Sequence, residues 1–173
     1  MYFFKVFGIV AITSAINAQF GSGTCRSRLA RECSCPPQWQ LSGEDCYRLT
    51  PSPHTWDDAK SACQDIGGKM AAPRSHEEMN FMADMARELD SKYKAWIACN
   101  DKEVEGFWEC DGQEGSAPFL GWGSGQPDNG GNIDCATIRK YDGKMDDSHC
   151  WKAFRAVCVR RAACTHGLIQ IRH

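Results

Sequence analysis

Eleven of the 173 residues are cysteine, and this content limits the possible folds more than any other feature of the chain. The first residues contain an apolar run around Val6–Ile12 and end in small residues at Ala18. Such a run is typical of a cleaved secretory signal peptide and is too short to span a membrane. In an oxidising extracellular compartment, cysteines pair with one another and do not serve as nucleophiles. We therefore expect a secreted domain that disulfides stabilise, with no membrane-spanning segment.

The charge distribution limits the classes of partner that the protein can bind. The formal net charge is −2, so the chain lacks the dominant basic surface that nucleic-acid binding requires, and we exclude nucleic acid as a partner. Residues 101–147 contain eleven carboxylates and four Lys or Arg, whereas residues 152–173 contain five Lys or Arg and no carboxylate. The acidic stretch predicts a binding site for a cation.

The composition along the chain predicts four segments. These are a signal peptide at residues 1–18, an irregular N-terminal arm at 19–34, one folded domain at 35–159 and a basic C-terminal tail at 160–173. The arm and the tail have no periodic apolar pattern, so we expect them to be solvated and to lie outside the core.

Two helices are predicted inside the domain. Thr55 and Ser75 are each followed three residues later by an acidic residue, which is the spacing of a helix N-cap. Apolar residues then recur at helical intervals, from Trp56 to Cys63 in the first helix and from Met79 to Leu89 in the second.

The second half of the domain predicts short strands and one long loop. The strands are expected at Trp96–Ala98, Gly106–Trp108, Cys135–Ile138 and Phe154–Cys158. The segment from Gly112 to Asn132 is rich in Gly, Asp and Asn and has no apolar period. Irregular segments of this length inside a compact domain are usually functional or disordered.

Residues 35–159 contain a series of motifs in a fixed order, which are Cys35-Pro36, Trp39, Cys46-Tyr47, Trp56, Cys63, Trp96-Ile97, Asn100-Asp101, Glu105-Gly106, Gly125-Gln126-Pro127-Asp128-Asn129, Asp134-Cys135, Asp146-Asp147, Cys150 and Val157-Cys158. The order and spacing of these motifs give the chain a resemblance to the C-type lectin domain family. It implies an α+β fold with two small antiparallel sheets, two flanking helices and a long irregular loop that binds calcium and sugar. It also implies the disulfides Cys35–Cys46, Cys63–Cys158 and Cys135–Cys150.

The other cysteines are assigned from their positions. Cys99 and Cys110 lie at the two ends of a predicted hairpin, where residues on facing strands come within bonding distance, so we expect them to pair. Cys25, Cys33 and Cys164 then remain. Either Cys25 or Cys33 can pair with Cys164, which leaves the other for a disulfide-linked homo-oligomer.

The resemblance assigns calcium and sugar to Gln126, Asp128, Asp146 and Asp147. All four carry the hard oxygen donors that calcium prefers. In the family, two sugar hydroxyls bind the ion directly, Gln-Pro-Asp is similar to the galactose-type triplet, and the proline is cis. The alternative for this sequence is a plain turn, which these residue types form readily.

A second set of residues matches the family's auxiliary calcium site, which orders the loop without contacting sugar. These residues are Asp101, Glu105, Asn129 and Asp134. The alternative is that Asn100-Asp101 forms a turn and Glu105 is a solvated carboxylate.

Several positions depart from the family pattern. Ile133 stands where the family has a glutamate ligand, Met145 replaces a tryptophan, Asp146 replaces an asparagine, and Gly130 stands where galactose-binding relatives often have a tryptophan. The sequence therefore predicts a calcium-dependent, galactose-type lectin of innate glycan recognition. The alternative is a lectin-fold protein that acts without calcium through contact with protein or a mineral surface.

An enzyme is the other class considered. Asp147, Ser148 and His149 include the residue types of a catalytic triad, but neighbouring residues do not normally point at one another in triad geometry. The histidines also lack zinc-ligand spacing. We expect no enzymatic activity.

Overall fold

The computed structural model of this protein describes residues 26–88 and 94–171, and the side chains of residues 31–88 and 94–166. The predicted signal peptide and Cys25 lie outside the described residues. The chain divides into two compact units. One unit is Arg31–His166, and it contains every residue of the predicted site. The other comprises the chain ends, of which residues 26–30 and 167–171 are described.

Both predicted helices are confirmed, and their caps explain where they begin. The first helix, α1 (Trp56–Asp65), follows Thr55, whose side chain accepts a hydrogen bond from the backbone N–H of Asp58. The second, α2 (His76–Arg87), follows Ser75, which accepts from the N–H of Glu78 in the same way. A cap of this kind satisfies a backbone donor that the first helical turn leaves free.

The described residues contain ten strands, which form three sheets. The strands are β1 (Arg26–Ser34), β2 (Gln40–Ser42), β3 (Asp45–Leu49), β4 (Lys69–Met70), β5 (Lys94–Asn100), β6 (Glu109–Cys110), β7 (Cys135–Arg139), β8 (Met145–Ser148), β9 (Val157–Arg161) and β10 (Ala163–Ile171). Two sheets have four strands, in the orders β2-β3-β9-β4 and β6-β5-β7-β8, and their pairs are antiparallel. The predicted pair of small antiparallel sheets is confirmed.

The third sheet, β1 with β10, corrects two predictions. The sequence predicted an irregular arm up to residue 34 and a solvated tail from residue 160, whereas β1 and β10 lie in these segments and β9 extends to Arg161. The described side chains of these two strands are exposed or half-buried. Strands with no buried face have no apolar alternation, so the pattern could not show them.

One strand was placed too early in the sequence. The structure has β6 at Glu109–Cys110, and Gly106–Trp108 precedes it as a turn and an irregular stretch. Gly106 has a φ of +77°, in the left-handed region that glycine adopts without strain. The apolar Phe107 and Trp108 suggested a strand that the turn prevents.

Five disulfides connect ten of the eleven cysteines. The four predicted pairs, Cys35–Cys46, Cys63–Cys158, Cys99–Cys110 and Cys135–Cys150, are confirmed. Of the two alternatives left open for Cys164, the structure has the pair with Cys33, which links β1 to β10. Participation of Cys25 in a link between chains stays a prediction.

The sheet β6-β5-β7-β8 separates two apolar clusters. Ile97, Ile138 and Met145 belong to the cluster that includes Met79 and Met82 of α2. Trp96 and Cys135 belong to the cluster that includes Trp56 and Cys63 of α1. The side-chain N–H groups of Trp56 and Trp96 donate to the carbonyls of Ile97 and His54, each over 2.9 Å. This packing fixes the position of the sheet whose strand β8 carries Asp146 and Asp147.

No helix in the described part of the chain combines the length and the apolar character that crossing a bilayer requires.

Candidate calcium and sugar site

The long loop is fixed where it meets β8. Residues 112–132 contain no helix or strand, as predicted, apart from a single bridge between Trp122 and Met145. Gly123 donates its N–H to the carbonyl of Met145 over 2.9 Å. A Cβ atom added to Gly123 would lie 1.7 Å from Nη2 of Arg139, so the loop backbone passes close to the guanidinium group, which would have to shift if residue 123 carried a side chain.

Asp147 fixes the middle of the loop. Its Oδ2 accepts hydrogen bonds from the backbone N–H groups of Asp128 and Asn129, over 3.1 and 3.0 Å. The side chain of Asp128 in turn accepts from the N–H of Gly130 over 3.2 Å. The Gln126–Pro127 peptide bond is cis, as predicted. Asp147 therefore holds the Gln-Pro-Asp segment against the end of β8.

Three side-chain oxygens of the predicted ligands are buried and accept no hydrogen bond. They are Oε1 of Gln126, Oδ1 of Asn129 and Oδ1 of Asp101. A buried polar atom without a partner costs free energy, and such atoms usually have a water or ion as their partner. Gln126 and Asn129 belong to the loop, and Asp101 belongs to the turn after β5. Gln126 is a predicted primary ligand and the other two are predicted auxiliary ligands, so each predicted site has a buried oxygen without a partner.

The carboxylates around these oxygens repel one another. Burial raises the pKa of Asp101, the hydrogen bond from Gly106 lowers it, and the negative charges of Asp134 and Asp147 raise it further, with a net rise. The pKa of Glu105 is also raised, by desolvation and then by the charges of Asp101, Asp134 and Asp147. We name these four residues the acidic cluster. A cation bound among them would relieve the repulsion.

The donor set fits calcium in its chemistry. Carboxylate and amide oxygens are the donors that calcium prefers, and calcium takes six to eight of them. Among the described residues, however, no group of three His, Cys, Asp or Glu side chains already encloses a metal position. An ion at the acidic cluster therefore requires these side chains to close around it.

Asp146 has a different environment from the other three predicted primary ligands. Its Oδ2 forms an ion pair with the Lys94 ammonium group, and its Oδ1 lies 3.6 Å from Nη1 of Arg139. The side chains of Asp146 and Arg139 are 7% and 10% exposed. Burial and the positive charges of Lys152 and Arg139 lower the pKa of Lys94 against the opposing effect of Asp147 and Asp128.

Sequence reasoning did not include Lys94 and Arg139 in the site, because only the register of the strands brings them beside Asp146. Lys94 pairs with Arg139 across β5 and β7, and Thr137 pairs with Asp146 across β7 and β8. Because side chains alternate along a strand, Arg139 and Thr137 share a face, and Lys94 and Asp146 lie on that face with them.

The residues considered for catalysis do not contact one another as a triad does. His149 Nδ1 lies 3.0 Å from the carbonyl oxygen of Asn132, Asp147 is bonded to the loop amides, and the Ser148 hydroxyl is buried without a partner. A triad requires the nucleophile, base and acid to be hydrogen-bonded in sequence.

Comparison with known proteins agrees with this architecture. The family described as "Lectin C-type domain" matches residues 52–160. The chain is 32% identical over 135 residues to C-type lectin domain family 4 member M of Nomascus concolor, and this match covers 76% of the chain and 33% of that relative. The chain belongs to the C-type lectin domain family. It spans about a third of the length of this curated relative.

Solved C-type lectin folds superpose on most of the chain. The carbohydrate-recognition domain of the mouse scavenger receptor C-type lectin has a TM-score of 0.65 and 27% identity, with coverage of 75% of this chain and all of that domain. A calcium-independent type II antifreeze protein, 24% identical with a TM-score of 0.64, shares the fold and covers 76% of the chain and 98% of its own. A Ca2+-dependent type II antifreeze protein has a TM-score of 0.63 and 25% identity, over 73% of this chain and 99% of its own.

The structure also places the positions that depart from the C-type lectin pattern. Met145 is fully buried beneath the loop, where its sulfur accepts from the N–H of Gly121 over 3.1 Å. Ile133 is half-buried, and a Cβ atom on Gly130 would lie 3.5 Å from its Cδ1 atom. Met145 thus supports the loop backbone, whereas Ile133 offers no oxygen to a metal.

Proposed function

We propose that this protein is a secreted, calcium-dependent lectin that binds galactose-type glycans in innate recognition. The observation that carries the proposal is the set of buried, unpartnered oxygens of Gln126, Asn129 and Asp101. Asp101 also belongs to the acidic cluster, whose carboxylates repel one another. Nothing in the folding of the two sheets requires this arrangement, whereas a bound cation would satisfy it.

In this proposal, two groups of residues form two calcium sites. Asp101, Glu105, Asn129 and Asp134 form the auxiliary site, which orders the loop. Gln126, Asp128, Asp146 and Asp147 form the primary site, where the ion would supply open coordination positions for two sugar hydroxyls. Around those hydroxyls, Gln126 offers an amide N–H donor and a carbonyl acceptor, and Asp128 offers only acceptors.

The triplet itself tests the proposal. The protein should be retained on immobilised galactose in calcium and should elute with EDTA. The exchange Gln126→Glu with Asp128→Asn reverses which side of the proline carries the amide, so it should shift retention from galactose to mannose. Lys60→Gln serves as the control, because Lys60 forms an exposed ion pair with Asp111 away from the predicted ligands. Retention that EDTA leaves unchanged would refute calcium-dependent binding.

Secretion and oligomerisation complete the proposal. The ten disulfide-bonded cysteines suit an oxidising compartment, and Cys25 is the cysteine that these pairs leave over. A Cys25 disulfide between two chains would raise the avidity of weak single sugar sites. Non-reducing electrophoresis of the secreted protein should show a dimer that Cys25→Ser converts to a monomer, and a monomer in both would refute the link.

The second candidate function is a lectin-fold protein that contacts protein or a mineral surface without calcium. The observation in its favour is the ion pairing of Asp146, which supplies internal cations where the primary site would place a metal. The Ca2+-dependent type II antifreeze protein shares the fold and has a name that describes a role other than sugar binding, so it supports the non-sugar role of this candidate and not its independence of calcium. Under this alternative, Asp147→Asn would leave partner binding intact, whereas it would abolish calcium-dependent galactose binding under the first.

A further inference from the structure

The two cations beside Asp146 are held differently. Arg139 has a second carboxylate partner: its Nε and Nη2 atoms donate to Asp142 over 3.1 and 2.5 Å. It also lies close against the backbone of Gly123, where a side chain would displace the guanidinium group. These contacts tie the guanidinium group to the hairpin between β7 and β8 and to the loop. Arg139 is therefore a fixed part of the two four-stranded sheets and their helices, which we call the frame.

Lys94 has a looser attachment. Its side chain is 28% exposed, against 10% for Arg139, and its ammonium group pairs with Oδ2 of Asp146. The positive charges of Arg139 and Lys152 oppose it, while the negative charges of Asp128 and Asp147 attract it. The ammonium group therefore interacts with three of the four predicted primary calcium ligands.

We propose that Lys94 is an internal competitor for calcium, whose ammonium group occupies Asp146 and so sets the calcium affinity of the primary site. This inference rests on the proposed function in taking Asp146 as a ligand. Calcium can use this carboxylate only after the ammonium group has moved away. Lys94 can leave toward solvent because it is partly exposed and its stem is flexible, whereas Arg139 stays in place.

The competition has two consequences of opposite sign. In the metal-free protein, Lys94→Gln removes one of the two cationic partners of the buried Asp146 carboxylate and lowers stability. In the presence of calcium, the same substitution frees Asp146 and removes a positive charge close to the ion. A purely structural role for Lys94 would give only the first effect, since a weakened frame does not bind an ion more tightly.

The test is calcium titration of the secreted, oxidised protein by calorimetry, paired with thermal unfolding in EDTA. Lys94→Gln should bind calcium at least about tenfold more tightly, equivalent to about 1.4 kcal/mol, and should unfold at a lower temperature in EDTA. Lys94→Arg retains the positive charge and should keep the affinity close to that of the natural protein. Lys60→Gln removes the same charge from a pair with Asp111 that includes none of the predicted ligands, and it should leave the calcium affinity unchanged.

A second comparison uses Asp146→Asn as the background and also covers the case in which Lys94→Gln alone does not fold. With the carboxylate gone, Lys94→Gln should no longer tighten calcium binding by tenfold. An unchanged or weaker calcium affinity for Lys94→Gln, or an equal gain in the Asp146→Asn background, would overturn the competition.

Galactose binding distinguishes this inference from the proposed function. Tighter calcium binding by Lys94→Gln with no galactose binding by any variant supports the competition and refutes the proposed function. Calcium-dependent galactose binding by the natural protein, with no effect of Lys94→Gln on calcium, supports the function and overturns the competition.

Discussion

Asp45 and Asp101 are both buried carboxylates, with exposures of 5% and 3%, yet their surroundings are opposite. Asp45, on β3, contacts Arg74 over 2.6 Å and Arg161 over 3.1 Å. Burial raises its pKa, but the hydrogen bonds and charges of the two arginines outweigh burial and lower it overall. Asp101 has carboxylates for neighbours, and its pKa is raised.

This difference distinguishes the frame from the predicted calcium and sugar site. At Asp45 the protein supplies its own counter-charges, and the pair of arginines connects β3 with β9 and with the start of α2. At Asp101 the described residues leave the negative charge without a matching cation. The first arrangement stabilises the folded chain by itself, and the second becomes favourable when a cation binds.

The largest effect is expected at Asp147, which anchors the loop and belongs to the acidic cluster. Asp147→Ala removes the acceptor for the amides of Asp128 and Asn129 together with one predicted ligand. Calcium and galactose affinity should each fall by about 100-fold or more, since loss of even an outer group of a metal site costs about 10–100-fold. Calorimetry measures both affinities. The control is Asp111→Ala, which removes a carboxylate from the exposed pair with Lys60, and an equal loss there would refute a specific role of Asp147.

Asp45→Asn should destabilise the protein by about 1–3 kcal/mol with or without calcium, because it removes the buried negative charge that accepts hydrogen bonds from Arg74 and Arg161. Urea unfolding in EDTA and in calcium measures the change. A loss that appears only in calcium would show that Asp45 belongs to the ion-dependent region and not to the frame.

In the metal-free protein, Asp101→Asn should raise stability, whereas Asp45→Asn should lower it. Removal of one charge from the acidic cluster should raise stability in EDTA by about a few tenths of a kcal/mol and weaken calcium binding by roughly tenfold. The same urea and calorimetry experiments check both values. Destabilisation in EDTA comparable to that of Asp45→Asn would contradict the proposed difference between the two carboxylates.

The smallest expected effect is in the pH dependence of stability without calcium. The raised pKa of Asp101 means that the folded protein holds this proton more tightly, so the penalty for its charge is relieved as pH falls through the raised value. The lowered pKa of Asp45 acts the other way: its stabilisation is complete above its ordinary value of 3.8 and is lost as pH falls below it. Subtracting the pH profile of Asp101→Asn from that of the unsubstituted protein should leave a rise in stability toward acid pH. A difference that does not change with pH would contradict the raised pKa of Asp101.

The frame was more predictable from sequence than the site. The helix caps at Thr55 and Ser75 depend on local chemistry that the sequence shows directly. Of the four predicted disulfides, Cys99–Cys110 was predicted from its place in a hairpin, and the other three from the resemblance to the C-type lectin family. The ladder between β1 and β10 could not be predicted, because its described side chains have no buried face and so no apolar alternation. The pairing of Asp146 with Lys94 depends on strand register over 52 residues, which one-dimensional spacing does not contain.

Calcium titration of EDTA-treated, oxidised protein, with and without galactose, shows whether the loop and β8 bind an ion to which sugar is then added. We expect saturable calcium binding at the primary and auxiliary sites, with tighter binding when galactose is present and no comparable gain with mannose. Absence of calcium binding at millimolar concentration would contradict this expectation, because the unmatched carboxylates and buried oxygens around Asp147 would then have no ion to satisfy them.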